Sequence, residues 1–290
     1  APILKTINTE DVKINFITET FPVNFFGDSD GNDLIYLSSI TMTKEPEVIK
    51  SCKFDYQISG RYFFLKNVTL YDQSENPAIY SFDYNMSNDL PDPLTTSIDH
   101  WGFWNGGYEN IDNVDTFLND GHFEERKAVN TNVASCTMLQ RITYPTKGEE
   151  AIDYEYNRFR YYQTKRTDSF AWDSNTAAYD TPLSGVRVKN LTLNDPVTGK
   201  NRQRSFSYLD PTTGIESGRI NELPRYHMPQ ESMQYVYDSF DHTEIKNLHA
   251  YSVSSNCIGR LSNISEYLIG YSDVTETFDD GSFCHYHFSS

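Results

Sequence analysis

The chain predicts an all-β fold, a large antiparallel sheet built from repeated β-hairpins with long aromatic-rich inserted loops. Three observations lead there. Around the turn Pro145-Thr146-Lys147-Gly148, Met138, Ile142 and Tyr144 alternate with Arg141 and Thr143, and Ile152, Tyr154 and Tyr156 alternate with Asp153 and Glu155. Period-two alternation of β-branched and aromatic residues about a Pro/Gly turn marks a half-buried hairpin. The composition agrees: 38% hydrophobic but 14% aromatic, with 21 Tyr and 18 Phe, so rings build the core more than Leu and Ile do. Tyr suits a strand with one dry and one wet face, because its hydroxyl stays hydrated while its ring is buried. Finally, no stretch has a convincing helical period. Within 231–240, Met233, Val236, Tyr237 and Phe240 fit helical spacing, and the same stretch reads equally well as strand.

The elements follow in order. Residues 3–7 and 12–16 form a short first hairpin. Leu37-Ser-Ser-Ile40-Thr41-Met42 pairs with the run centred on Phe54-Asp55-Tyr56. Leu65-Lys-Asn-Val68-Thr69-Leu70 repeats that pattern and is closed by Phe82-Asp83-Tyr84. Leu139-Gln-Arg-Ile142-Thr143-Tyr144 meets Tyr154-Glu155-Tyr156, and Val188-Lys-Asn-Leu191-Thr192-Leu193 meets Phe206-Ser207-Tyr208. Residues 271–277 turn at Asp279-Asp280-Gly281 and return through 283–288. An apolar-x-x-apolar-Thr run, a turn and an aromatic-x-aromatic run thus recur, which is how a repeat architecture shows itself. Adjacent hairpins are expected to join edge to edge.

Three insertions interrupt the rhythm, at 86–136, 158–184 and 211–256. Long connections in a compact fold are usually functional loops or covers. The chain reads as one β-rich region over 1–290, with its weakest boundary at 88–95, where Pro91 and Pro93 sit among Asp residues.

A net charge of -17, with 41 acidic against 24 basic residues, argues against nucleic acid and against adsorption on anionic lipid. No apolar run is long enough to insert as a membrane helix. Cys52, Cys136, Cys257 and Cys284 lack metal-ligand spacing and are expected to be free, partly buried thiols, with one long-range bridge as the alternative.

The run Asp99-His100-Trp101-Gly102-Phe103-Trp104-Asn105-Gly106 is the least generic in the chain. With the 138–146 hairpin, Gly185-Val-Arg-Val188, Gly270-Tyr-Ser-Asp-Val-Thr-Glu276 and Phe82-Asp-Tyr-Asn85, it resembles a group of bacterial surface or secreted proteins related to the RHS/YD-repeat proteins. That group has Gly where this chain has Thr137 and Lys147. The resemblance covers most of the chain. It implies an extracellular or cell-surface location, hairpin architecture, and a longer polypeptide whose other segments are this region's partners. It carries no catalytic residues.

Candidate sites follow from residue chemistry. Trp101, Phe103, Trp104 and Tyr108 suit an aromatic platform for a carbohydrate or protein ligand, with Asp99 and Asn105 as polar partners. The alternative is a plug, with the rings packed on the sheet and Gly102 and Gly106 making tight turns. Asp28, Asp30 and Asp33 have the oxygen density of a calcium loop without EF-hand order, and an ordinary Asp/Gly turn explains them equally. No other cofactor is expected. His285 and His287 share one side of a strand, as zinc ligands do, but no third ligand is identifiable. Glu149-Glu150 and Asp279-Asp280 lie at turns, where solvated acids are ordinary, so a glycosidase pair is the weakest reading. The expected role is a non-enzymatic scaffold, with a binding module as the alternative.

Overall fold

The computed structural model describes residues 3–21, 34–72, 76–107, 126–165, 172–224, 226–229, 233–239, 242–248, 251–253 and 268–288, with the backbone alone between 227 and 253. The strands are β1 (Thr6–Asn8), β2 (Lys13–Phe21), β3 (Leu34–Lys44), β4 (Glu47–Ser59), β5 (Tyr62–Tyr71) and β6 (Ala78–Tyr84). There follow β7 (Leu139–Thr143), β8 (Glu149–Lys165), β9 (Trp172–Asn194), β10 (Asn201–Ser207), β11 (Gly218–Glu222) and β12 (His227–Pro229). The last are β13 (Met233–Ser239), β14 (His242–Leu248), β15 (Tyr251–Val253), β16 (Ile269–Tyr271), β17 (Asp273–Phe278) and β18 (Phe283–His287). Fourteen of them form one sheet, in which β1 to β10 lie side by side in chain order, β17 follows β10, and β18 is the far edge. All pairings are antiparallel except that of β11, which runs parallel to the outer half of β8 while pairing β16 on its other side.

The all-β expectation and the hairpin order are met. The stretch 231–240 is strand where it is described, since β13 pairs with β14 from Met233↔Leu248 to Ser239↔His242. One expectation needs correction. The insertion at 158–184 is not a loop but the extension of one hairpin, in which β8 and β9 stay paired out to Lys165↔Trp172. Its period is broken by two shifts of register that fall at this stretch, between Tyr156 and Asn157 and between Phe159 and Tyr161. The 88–95 stretch is tied to the sheet by Arg61 Nη1 to Asp92 Oδ2 at 3.0 Å and by the Tyr62 hydroxyl, which donates to the Pro91 carbonyl at 3.0 Å.

Four strands share a backbone irregularity. In β3, β5, β7 and β9 the residue after the first apolar position of the pattern (Ser38, Lys66, Gln140 and Lys189) has no partner on the preceding strand. This is a β-bulge, which adds one residue and bends the strand. On the other side, pairing with the following strand stops at Ser39↔Lys53, Asn67↔Ser81, Arg141↔Ala151 and Asn190↔Ser205. A tyrosine of the following strand spans each opening. Tyr56 donates to Leu37 O at 2.9 Å, Tyr84 to Leu65 O at 2.9 Å, Tyr154 to Leu139 O at 2.8 Å and Tyr208 to Val188 O at 2.7 Å. The carbonyl released at each bulge thereby regains a partner, as a part-buried carbonyl must. Each such bond contributes about 0.5–1.5 kcal/mol net.

The bulges also keep the two faces of the sheet distinct. One cross-strand row reads Phe16, Ile40, Cys52, Leu70, Ala78, and the adjacent row on the other face reads Asn15, Thr41, Ser51. The apolar face continues through Ile142, Ile152, Leu191 and Phe206, and beyond the bulges of β3 and β5 the aromatic rings of Phe21, Tyr36, Tyr56 and Phe63 cluster together. The buried cluster lies elsewhere, where β11 runs alongside the outer half of β8. There Phe159, Leu183 and Ile220 are buried, with Trp101, Tyr162, Leu268 and Ile269 against them. Gly218 makes that close approach feasible, because a Cβ at that position would stand 2.1 Å from the Arg158 carbonyl oxygen.

Candidate functional site

The loop carrying Asp99-His100-Trp101-Gly102-Phe103-Trp104-Asn105-Gly106 lies over this core. It is closed by an isolated bridge between Ile98 and Trp104 and turns through Gly102 and Gly106, both at positive φ, as expected for tight turns. Its two polar residues are buried and used internally. Asp99, 3% exposed, accepts the Trp101 and Phe103 backbone N–H groups on Oδ1 at 2.9 and 3.0 Å, and the Ser184 hydroxyl donates to its Oδ2. Asn105, also 3% exposed, donates from Nδ2 to the carbonyls of Arg126 and Ala128 at 2.7 and 3.0 Å. Its Oδ1 accepts from the Ser97 hydroxyl and the Gly107 N–H at 3.2 and 3.0 Å.

The aromatic residues divide. Trp101 packs on the buried cluster, whereas Phe103 is exposed and lines, with the half-buried Trp104, a cavity of about 250 Å³. Tyr62, Met138, Cys136 and the Asp99–Ser184 pair complete its principal walls. Asp99 and Asn105 are thus braces of the loop rather than free partners for a ligand, which favours the plug reading for them. Tyr108 lies outside the described residues, as do the calcium candidates Asp28, Asp30 and Asp33.

Charge at the site follows from burial. Desolvation raises the pKa of Asp99, partly offset by the hydrogen bonds from Ser184, Phe103 and Trp101. Desolvation lowers the pKa of the buried Lys127, partly offset by Asp99. His100 Nδ1 lies 2.9 Å from the buried Tyr226 hydroxyl.

A chain of polar contacts, not foreseen in the sequence, leads from Asp99 through the sheet. Asn157 Nδ2 donates to the Ser184 carbonyl at 3.0 Å, and the Tyr271 hydroxyl donates to Asn157 Oδ1 at 2.8 Å. The Arg187 guanidinium lies over the Tyr208 and Tyr271 rings, 4.3 and 5.0 Å from their centroids. It donates to both oxygens of Glu216 at 2.8 and 2.9 Å and to Glu155 at 2.8 Å. Burial works to lower the Arg187 pKa, but Glu216 and Tyr271 outweigh it and the net shift is upward. Burial pushes the hydroxyls of Tyr208 and Tyr271 up to about 12. A fully paired, always-charged group of this kind holds geometry; it does not donate protons to chemistry. The signal that existed was Gly185-Val-Arg-Val188, a motif block whose Arg187 had no assigned role.

The remaining candidates are placed as follows. His285 Nε2 and His287 Nδ1 both bond Asp273 Oδ1, at 3.1 and 2.9 Å, and among the described residues no group of three or more His, Cys, Asp or Glu is arranged to hold a metal ion. Glu150 accepts the Tyr144 hydroxyl at 2.7 Å, and Asp280 caps its turn through the Ser282 N–H at 2.8 Å. Among the described thiols, Cys136 is buried, Cys52 half-buried and Cys284 exposed, the last against expectation because β18 is an edge strand. No helix among the described residues is long and apolar enough to cross a membrane.

No protein-family model matches the chain, and no curated protein matches it. Among solved structures it is similar to a porin-like protein from Bacteroides uniformis, at 9% identity over 86% of this chain and 94% of that one, with a TM-score of 0.17.

Proposed function

We propose that the chain is a non-enzymatic scaffold segment of a large cell-surface or secreted bacterial polypeptide, resembling the hairpin regions of RHS-related proteins. The observation that carries this reading is the fourfold recurrence of one bulge and one tyrosine bond along a sheet laid down in chain order. Such a unit is suited to extending a surface by repetition, because each hairpin's open edge is satisfied by the next. Two further observations support it. Asp99 and Asn105 are consumed in bracing their own loop. Thr137 and Lys147, the positions at which the RHS-related pattern has Gly, are the described non-glycine residues with positive φ, 66° and 67°. The partners are then other segments of the same polypeptide, which the sheet encloses or displays.

The test is made in the full-length polypeptide on intact cells. A membrane-impermeant biotinylating reagent is expected to label this region, and its deletion is expected to expose the flanking segments to added protease. Labelling only after lysis, or unchanged protection after deletion, overturns the reading.

The Phe103–Trp104 cavity favours a second reading, a module that binds a carbohydrate or a protein side chain. Binding on a glycan or peptide array that is lost in Trp104→Ala, with the circular dichroism spectrum unchanged, would select it.

A further inference from the structure

The two ends of the fourteen-stranded sheet differ. At one end β1 is three residues long and flanked by Lys5, Glu10 and Asp11. Short length and adjacent charge are the usual means of blunting a sheet edge. At the other end β18 is five residues long, and all five are exposed. From Ser282 to Ser290 there is no Asp, Glu, Lys or Arg, in a chain that is 22% charged. The exposed side chains include Phe283 at 67%, Tyr286 at 45% and Phe288 at 53%.

The backbone of this edge is oriented for a further partner. The Phe288 N–H donates to the Ser272 carbonyl and the Phe278 N–H to the Ser282 carbonyl, each at 2.8 Å. With the register Asp273↔His287 to Thr277↔Phe283, the even-numbered residues of β18 turn their peptide groups toward β17. Phe283, His285 and His287 therefore turn theirs outward, where no strand pairs with β18 among the described residues.

We infer that β18 pairs antiparallel with β18 of a second copy of this chain, about a two-fold axis at Tyr286. Self-pairing requires outward-facing residues to meet outward-facing residues, and a centre at Tyr286 satisfies this by setting His285 opposite His287 of the second copy and the reverse. Each such pair exchanges two backbone hydrogen bonds. On the apolar face Tyr286 then meets its own equivalent, and Cys284 meets Phe288, so the apolar rows of two sheets run together. Aromatic cross-strand pairs stabilise such contacts. The uncharged strand matters because each copy carries a net charge of -17, and two such molecules approach most easily where the edge carries no acid of its own and the nearest carboxylates are engaged, Glu276 by Arg204 and Asp273 by His285 and His287. An interface built from one patch on both partners closes as a dimer instead of growing into a fibre. This inference stands on strand geometry in the 290-residue chain; in the scaffold reading a following hairpin would take the same edge, so a monomeric chain overturns the inference without touching that reading.

Sedimentation velocity of the 290-residue chain tests it. The expected result is a dimer at micromolar concentration, preserved in Tyr286→Phe and lost in Tyr286→Lys, which sets two ammonium groups opposite each other while leaving the backbone bonds to β17 in place. A far-ultraviolet circular dichroism spectrum of Tyr286→Lys that matches the wild type confirms that the strand itself is retained. Tyr286 and its equivalent occupy a pair of the closer kind, with Cα atoms about 4.5 Å apart, within the range for a disulfide. Cys284→Ser combined with Tyr286→Cys is therefore expected to give an oxidised covalent dimer. A monomeric wild type, a dimer that survives Tyr286→Lys, or open-ended polymers would each overturn the assignment.

Discussion

The Tyr154 hydroxyl sits 2.8 Å from the carbonyl oxygen of Leu139, three residues beyond Ala151, the last residue of its strand to pair with β7, and opposite the bulge at Gln140. Tyr56, Tyr84 and Tyr208 occupy the same position in their hairpins. The ring lies along the apolar face and the hydroxyl returns to the backbone, so one side chain both packs and restores a lost ladder bond.

Tyr154→Phe keeps the ring and removes the donor, leaving the Leu139 carbonyl without that partner. A loss of about 1 kcal/mol is expected, rising to about 3 kcal/mol or more in Tyr154→Ala, where the ring goes too. Urea unfolding monitored by far-ultraviolet circular dichroism measures both. Equal costs for the two variants would mean that the hydroxyl, not the ring, carries the whole effect.

Thr137 and Lys147 hold φ near 66° and 67°, a region that costs a residue with a Cβ about 1–2 kcal/mol. Glycine relieves that strain but loses about 0.5–1 kcal/mol of chain entropy on folding. Thr137→Gly and Lys147→Gly are expected to stabilise the chain, with the larger gain at the β-branched Thr137. Differential scanning calorimetry reads this as a rise in Tm. A fall in either variant would show that its side chain makes contacts worth more than the strain.

Asp99 and Asp273 act on stability with opposite pH dependence. Burial raises the Asp99 pKa, so its contribution is fully present below the ordinary carboxylate value and is lost as pH rises through the raised value. The hydrogen bond from His287, with those from Ser272 and His285, lowers the Asp273 pKa. Its contribution is present above the ordinary value and is lost as pH falls through the lowered one. Asp99→Asn is therefore expected to flatten the stability profile just above about pH 4, and Asp273→Asn to flatten it below about pH 4. Unfolding midpoints from about pH 2.5 to about 7 distinguish the two. A parallel profile for either variant would remove that carboxyl from the account.

The hairpins were legible because each depends on local alternation and a turn, and a strand's neighbour in sequence is its neighbour in the sheet. The Leu-x-x-Ile-Thr and Phe-x-Tyr patterns were visible as residues, but the bulge that joins them was not. A bulge is a mismatch between two strands, and neither strand contains it alone. The parallel contact of β11 with β8 was hidden for a similar reason, since Arg219 and Tyr161 are far apart in the chain. In the Asp99 loop the sequence showed polar and aromatic groups side by side. Which of them face a ligand was decided by Ser184, Arg126 and Ala128, and nothing near residue 99 announces those partners.

The order of the strands bears on how the chain is made. Apart from β7, which reaches β6 across the 86–136 insertion, strands β2 to β10 each find their partner in the strand just synthesised, so a nascent chain is able to lay them down one after another as it leaves the ribosome. The seam between β10 and β17 is longer still, because Ser207 must wait for Thr275. Until then the β10 edge is bare. A helper that shields newly emerging strands would have its greatest effect in that interval, and a ribosome pausing there would leave the growing sheet most open to mispairing with its neighbours on the same message.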